Sequence, residues 1–232
     1  RAERWIEQRY GGSPAVPVQV ALESARQRLT HAAVRQAELA GEGWDIVSSE
    51  ARYEAVLNGI PIIGRIDRVD RHRETGDLRV IDYKTADRPL KPDEAHLAPP
   101  GADPQPYTLV QVGRKRRRWI DLQLPLYGAL LSGTGFAEAR HNVCYFNLPK
   151  AVTETGVAAW NDYTPELAGA AQECARTVID HITAGRFWPP AERLKYDDFE
   201  RLFPGPAGDS VNVASFREAF ERAARAMQRG KA

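Results

Sequence analysis

The dipeptide Asn58-Gly59 stands between two segments in which apolar and polar residues alternate. Both residues tolerate the positive φ angles of a type I′ turn, which joins two antiparallel strands through the shortest loop. Strands are therefore predicted over residues 44–57 and 60–70. A loop containing Glu74-Thr75-Gly76-Asp77 then turns the chain into a third strand, residues 78–85. Together these segments predict an antiparallel meander.

The other elements follow from periodicity and from residues that begin or end helices. Alternation in the first strand predicts that Val47, Ala51, Tyr53, Ala55 and Leu57 lie on one face. Helices are predicted over residues 1–10, 18–40, 119–131 (begun near Asp121) and 164–184, and further strands over residues 142–148 and 157–163. Residues 86–113 contain six prolines and predict a long loop, with a short ribbon over residues 107–112.

The composition bounds the class of protein. Hydrophobic residues make up 43% and charged residues 27% of the chain, as is typical of soluble globular proteins. The net charge of +1 gives no global basicity that would indicate a nucleic-acid partner. Cys144 and Cys174 form no CxxC pair, which argues against a zinc ribbon or a disulfide framework.

Location and completeness are also predicted from the sequence. No apolar run approaches the roughly 18 residues that span a bilayer, so a cytoplasmic protein without a membrane partner is expected. The chain begins at Arg1 and its only methionine is Met227, which predicts a piece of a longer polypeptide. Residues that precede such a piece could contribute to its function.

Two aspartates on neighbouring strands, with a lysine beside the second, form the candidate site. Asp67 lies in the second strand, and Asp82 and Lys84 are two residues apart in the third, hence on one face. Two unpaired carboxylates about 4 Å apart repel by about 4 kcal/mol at an effective dielectric near 20. We therefore expect a metal cation between them, with Lys84 beside it. The alternative is a surface Asp–Lys ion pair, worth about 0 to 1 kcal/mol.

Five consecutive cations follow the proline-rich segment: Arg114, Lys115, Arg116, Arg117 and Arg118. They form a local positive patch that the near-zero net charge conceals. Such a run is either a solvated face or a contact for the phosphate backbone of a nucleic acid. The sequence leaves both interpretations open.

Three motifs in a fixed order resemble the core motifs of PD-(D/E)XK nucleases. They are GRIDRVD at residues 64–70, IDYKT at residues 81–85 and QLPLY at residues 123–127. The type they resemble most is the nuclease domain at the C-terminus of the RecB and AddAB recombination enzymes (RecB/AddB type). The resemblance implies an α/β fold with a restriction-endonuclease-like core, whose central mixed sheet contains the antiparallel meander and is flanked by helices.

The same resemblance implies a division of the chain. Residues 1–43 would be an N-terminal helical segment, residues 44–190 the nuclease core, and residues 191–232 a helical lid packed on the core. Many relatives hold an iron–sulfur cluster through cysteines that follow the position of Pro190. Because this chain has no cysteine there, no cluster is expected. The lid would be held by aromatic side chains instead, namely Trp188, Tyr196, Phe199 and Phe203.

The resemblance also implies roles for the motif residues. Asp67 and Asp82 would be ligands of Mg²⁺ or Mn²⁺, with the backbone carbonyl of Tyr83 as a third. Lys84 would orient the attacking water and offset the growing negative charge. Glu50 is a further catalytic candidate on the adjoining strand, because the family often has an acid there.

Two more roles concern the third motif. Gln123 and Tyr127 are four residues apart and would share one helix face. By resemblance they would lie over the site and contact DNA or hold the lysine.

Asp70 is expected to be a solvated residue at a strand end, and Asp87 a loop residue.

These implications predict a metal-dependent DNA nuclease, expected to be an exonuclease of recombination or repair with a helicase or recombination-complex partner. RecB-type domains also carry a metal-binding histidine on a helix well before the first motif strand. Here His31 lies on the last helix before that strand, too close to be its equivalent. The histidine lies upstream, or the site works with fewer ligands, or activity is lost. The alternative function is therefore a weak or inactive nuclease-fold module that binds DNA or braces a helicase.

Overall fold

The computed structural model describes residues 2–102, 104–136 and 141–186 together with Glu218. Its helices are α1 (Ala2–Tyr10), α2 (Val16–Gly41), α3 (Pro92–His96), α4 (Gln123–Leu131) and α5 (Pro165–Thr183). Its strands are β1 (Trp44–Leu57), β2 (Ile60–His72), β3 (Leu78–Lys84), β4 (Leu97–Ala98), β5 (Leu109–Val112), β6 (Lys115–Trp119), β7 (His141–Asn147) and β8 (Gly156–Ala159). Single 3₁₀ turns cover Pro106–Thr108 and Val152–Glu154.

The predicted meander is confirmed. Asn58 and Gly59 have φ angles of 51° and 75°, and the turn they form pairs β1 with β2 in antiparallel register. β3 pairs antiparallel with β2 and parallel with β7, which gives a five-stranded sheet in the order β1-β2-β3-β7-β8. The expected central mixed sheet flanked by helices is therefore present.

The central sheet is covered on both faces. One face packs against α4 and the first part of α5 in a core that includes Ile66, Val80 and Leu124. The opposite face packs against α2 in a smaller cluster that contains Leu39 and Ile81. Because successive residues of β3 point to opposite faces, Val80 contributes to the first core and Ile81 to the second.

A second, smaller sheet carries the basic run. Its strand order is β4-β6-β5, and the predicted ribbon is confirmed as the β5–β6 hairpin. Inside the predicted long loop lie two elements that the prolines concealed, helix α3 and strand β4. Pro92 occupies the first position of α3, where its missing N–H costs little, and Asp93 and Glu94 follow in the first turn.

The alternation of β1 and β2 is interrupted. Val47 was expected on the face that carries Ala51 and Tyr53, but the register shifts beside it and Val47 is 40% exposed. Glu50 has a φ angle of 53°, a left-handed conformation that few residues other than glycine adopt. Ile66 and Val69 both belong to the core on the α4 side, so the alternation of β2 also changes between them. Such irregularities re-aim side chains and are common next to functional sites.

The expectation that Asp70 is a solvated strand-end residue is wrong. Asp70 is fully buried between Arg68 and Arg79, which are 2% and 6% exposed. The two arginines donate hydrogen bonds of 2.5 to 2.8 Å to its carboxylate. The charge is tolerated inside because it is paired and hydrogen-bonded on both oxygens. Asp87, by contrast, is an exposed loop residue as expected, paired with Lys150.

The chain divides into two compact units, Arg1–Ala175 and Arg176–Ala232. Of the second unit, the structure describes residues 176–186 and Glu218. The predicted lid lies outside the described residues apart from Glu218, and the three-part division predicted from the sequence stays a prediction. Among the described helices, none is both long enough and apolar enough to cross a membrane.

Candidate active site

The central sheet brings the two candidate aspartates together. The antiparallel pairing of β2 with β3 ends at Arg68 opposite Ile81, which leaves Asp67 alongside the last residues of β3. There Asp67 Oδ2 accepts a hydrogen bond of 2.9 Å from the backbone N–H of Tyr83. The side chain of Asp67 is thus hydrogen-bonded to the backbone of the residue that follows Asp82.

Asp82 is a buried carboxylate with a partner on each oxygen. Its Oδ2 lies 2.7 Å from Lys84 Nζ, as the shared strand face predicted. Its Oδ1 accepts a hydrogen bond of 3.2 Å from the hydroxyl of Tyr127. Lys84 therefore supplies a cation to Asp82, so the repulsion expected between two unpaired carboxylates is already reduced within the protein.

The third motif approaches the site from helix α4. Gln123 and Tyr127 are neighbours on that helix, and Gln123 Nε2 donates a hydrogen bond of 3.0 Å to the Tyr127 oxygen. Burial raises the pKa of Tyr127, and the negative charge of Asp82 raises it further. The phenol therefore keeps its proton and donates a hydrogen bond to Asp82. The structure thus places Tyr127 on the aspartate and Gln123 on Tyr127, with Gln123 exposed to solvent.

The glycine of the first motif explains how α4 comes so close to the sheet. A Cβ atom on Gly64 would lie 2.2 Å from Cδ1 of Leu130, which is buried on α4. Only a residue without a side chain leaves room for Leu130 at that position. The helix that carries Tyr127 can then reach Asp82.

Two residues behind Lys84, Tyr145 and His96, were not identified as site residues from the sequence. Tyr145 is the partner of Asp82 in the parallel pairing of β3 with β7, and Lys84 Nζ lies 4.7 Å from the centre of its ring. The Tyr145 hydroxyl lies 2.8 Å from Nε2 of His96. No sequence motif identifies His96, which lies in a proline-rich segment, or Tyr145, which lies in an apolar strand. The parallel pairing that brings Tyr145 beside Asp82 cannot be predicted from periodicity.

Two other candidates lie at the edge of this constellation. The Glu50 carboxylate pairs with Arg65 at 3.0 Å, and its side chain is 53% exposed. The Tyr83 side chain is 38% exposed on the opposite sheet face, where its hydroxyl accepts a hydrogen bond of 3.2 Å from Arg68. A catalytic role for Glu50 and a ligand role for the Tyr83 carbonyl stay predictions.

The basic run begins in the turn of the β5–β6 hairpin and continues along β6. Four of its side chains are exposed and that of Arg117 is half-buried. Arg118 Nε also donates a hydrogen bond of 3.1 Å to the carbonyl of Pro99. Strand β6 then ends at the buried Trp119, shortly before α4 begins. The cations therefore lie on an element that leads into the helix of the third motif.

The chemistry of the two aspartates fits a hard divalent cation. Within the described residues, no group of three or more histidine, cysteine, aspartate or glutamate side chains is close enough to hold a metal. Mg²⁺, however, keeps several waters and is commonly held by one or two carboxylates together with substrate phosphate. Each carboxylate oxygen has two lone pairs, so Asp82 can bond Tyr127 and Lys84 and still accept a further partner.

Comparison with known proteins identifies the family. The model of the PD-(D/E)XK nuclease superfamily matches residues 2–195, most of the chain. The chain belongs to the PD-(D/E)XK nuclease superfamily. All three motifs of this PD-(D/E)XK protein lie inside the matched range, and nucleases of the superfamily typically use divalent metals such as Mg²⁺. No curated protein matches the chain significantly.

Proposed function

We propose that this PD-(D/E)XK protein is a divalent-metal-dependent DNA nuclease with Asp67, Asp82 and Lys84 at its catalytic centre. The observation that carries the proposal is the buried Asp82 carboxylate, held by Lys84 at 2.7 Å and by Tyr127 at 3.2 Å, with Asp67 on the adjacent strand. A surface Asp–Lys ion pair would require neither a buried carboxylate nor a second aspartate on the adjacent strand.

Each residue has a role in hydrolysis of a phosphodiester. Asp67 and Asp82, with the carbonyl of Tyr83, would hold Mg²⁺ or Mn²⁺. When bound, such an ion lowers the pKa of water and neutralises phosphate charge. Lys84 orients the attacking water and stabilises the charge that develops on the phosphate. Tyr127, itself bonded by Gln123, fixes the orientation of the Asp82 carboxylate.

DNA is the substrate in this proposal. The exposed cations of the β5–β6 hairpin would neutralise backbone phosphates, which provides affinity without base recognition. Gln123, which is exposed, would contact a DNA strand that enters the site. We extend the proposal, by resemblance to the RecB/AddB type, to an exonuclease of recombination or repair that works with a helicase in the cytoplasm.

The test is cleavage of linear DNA by the purified protein with Mg²⁺ or Mn²⁺. The wild type should degrade it, and Lys84→Ala should lower kcat by about 100- to 1000-fold, the range for loss of one group that stabilises transition-state charge. Lys150→Ala is the matched control, because Lys150 also pairs with an aspartate, at 2.6 Å, but on the surface. Equal activity of wild type and Lys84→Ala would remove Lys84 from the mechanism.

The small ligand set favours a second candidate function. Among the described residues no group of three or more histidine, cysteine, aspartate or glutamate side chains could hold a metal, which fits a weak or inactive nuclease-fold module that binds DNA or braces a helicase. Such a module would bind DNA in a salt-sensitive manner through residues such as Arg116 without cutting it. If the folded wild type binds DNA but does not cleave it with either Mg²⁺ or Mn²⁺, this alternative is supported.

A further inference from the structure

His96 lies inside the protein, 1% exposed, with both ring nitrogens engaged. Its Nδ1 is 3.0 Å from the backbone oxygen of Asp121 and 3.0 Å from the Oδ1 atom of the same residue. Its Nε2 is 2.8 Å from the hydroxyl of Tyr145. The ring lies flat on Trp160, with ring centres 5.5 Å apart and planes inclined by 7°. The imidazole is therefore fixed in position and in rotation.

The partners of His96 also fix its tautomer. The two Asp121 atoms beside Nδ1, the backbone oxygen and Oδ1, can only accept hydrogen bonds, so Nδ1 carries a proton. In a neutral ring with this tautomer, Nε2 accepts a hydrogen bond from the Tyr145 hydroxyl, 2.8 Å away. A tyrosine hydroxyl can donate one hydrogen bond, and Nε2 of His96 is the partner that lies 2.8 Å from it. His96 thereby holds the hydroxyl end of Tyr145.

The face of the Tyr145 ring is a wall of the candidate active site. Lys84 Nζ lies 4.7 Å from its centre, within the range of a cation–π contact. The same ammonium bonds Asp82 at 2.7 Å, so the carboxylate and the aromatic face together define where the cation sits. If the ring of Tyr145 were free to shift, the position of Lys84 would be fixed by one contact instead of two.

A second branch runs from His96 to the third motif. Asp121 Oδ1 also accepts a hydrogen bond of 2.7 Å from the backbone N–H of Gln123, at the start of α4. Gln123 in turn bonds Tyr127, and Tyr127 bonds Asp82. The contacts close into one ring, formed by Asp82, Lys84, Tyr145, His96, Asp121, Gln123 and Tyr127. His96 joins its two halves.

We infer that His96 is a positioning residue for the proposed nuclease reaction, acting through Tyr145 on Lys84. The inference rests on the proposed function. His96 touches neither metal nor substrate in this account: its bond to Tyr145 keeps the aromatic face under the lysine, so that the ammonium meets the attacking water in the right place. Placement matters because small displacements of a catalytic group cost large factors in rate.

Tyr145→Phe is the sharpest test, because it keeps the ring and removes only the hydroxyl that His96 holds. We expect kcat for DNA cleavage to fall about tenfold, the lower end of what loss of a supporting partner costs. The KM for DNA and the affinity for Mn²⁺, measured by calorimetry, should stay at the wild-type values. Tyr53→Phe is the matched control, since that half-buried hydroxyl donates to Ser48 at 2.7 Å on β1.

Two substitutions of His96 separate its contacts. A glutamine amide reaches the position of Nε2 and can still bond Tyr145, whereas an asparagine amide reaches the position of Nδ1 and can bond only Asp121. We expect His96→Gln to retain more of the wild-type kcat than His96→Asn, at similar melting temperatures. A merely structural role would make kcat of the folded protein insensitive to this choice, and an equal or reversed order would overturn the inference.

The outcomes distinguish the inference from the function on which it rests. Wild-type kcat in Tyr145→Phe, with an active wild type, would overturn the inference and leave the proposed nuclease intact. An equal loss in Tyr53→Phe would assign the effect to general loosening of the core and would also overturn it. A folded wild type that cuts no DNA with Mg²⁺ or Mn²⁺ would refute the proposed function and the inference together.

Discussion

The buried carboxylate of Asp70 makes a quantitative prediction about stability. Arg68 donates to its two oxygens at 2.5 and 2.6 Å, and Arg79 donates to Oδ2 at 2.8 Å. All three side chains are almost inaccessible to solvent. Asp70→Asn keeps the shape of the residue but removes the negative charge, so two guanidinium groups remain buried without a counter-charge.

The expected loss follows from the burial of this cluster. Removing one partner of a buried ion pair typically costs about 3 to 5 kcal/mol, since an uncompensated charge stays inside. Asp87→Asn is the matched control, because Asp87 pairs with Lys150 at 2.6 Å but both side chains are 67% exposed. Exposed ion pairs contribute little to stability, so the free energy of unfolding of the control should be close to that of the wild type.

Urea unfolding followed by tryptophan fluorescence and circular dichroism measures both variants. With a slope of about 3 kcal/mol per molar urea, Asp70→Asn should shift the midpoint down by about 1 to 1.7 M. A midpoint equal to that of Asp87→Asn would refute the reasoning, since it would mean that the buried arginines do not need the Asp70 charge. A shift in the control as large as in Asp70→Asn would refute it equally.

Two further predictions concern the packing and the charge around α4. Gly64→Ala should lower the free energy of unfolding by about 1 to 3 kcal/mol, because the added Cβ would lie 2.2 Å from Cδ1 of Leu130. Gly128→Ala is the control and should not lower it, because a Cβ there meets open space. Chemical denaturation measures both variants. The hydrogen bond from His96 lowers the pKa of Asp121 below 3.8, so this carboxylate stabilises the fold above pH 3.8 and loses that effect as the pH falls through its folded value. Melting temperatures of Asp121→Asn should therefore fall less than those of the wild type over that acid range, and parallel curves would contradict this.

Features set by neighbouring residues could be predicted from the sequence. The positive φ angles of Asn58-Gly59 and the two-residue period that puts Asp82 and Lys84 on one face are local rules, and the structure follows them. The four-residue spacing of Gln123 and Tyr127 is also local, and the two side chains meet on α4 as expected. The order of the motifs then indicated the family that the comparison shows.

Features that depend on distant partners could not be predicted. Asp70 was predicted to be exposed because its burial depends on Arg79, which only the β2–β3 pairing brings close to it. Tyr145 and His96 reach the site through the parallel β3–β7 pairing and a helix hidden among prolines. The left-handed conformation of Glu50 leaves no trace in an alternating pattern. Each is a tertiary effect that local propensity cannot encode.

Binding of Mn²⁺ to the purified protein tests the central claim most directly. Isothermal titration calorimetry should show binding to the wild type and none to Asp82→Asn, because a neutral amide cannot replace the carboxylate as a strong ligand. Lys84→Ala is the matched control: it removes the ammonium that shares Asp82 and should bind Mn²⁺ at least as tightly as the wild type. Absence of binding to the wild type, or equal binding to Asp82→Asn, would contradict a metal site at Asp67 and Asp82.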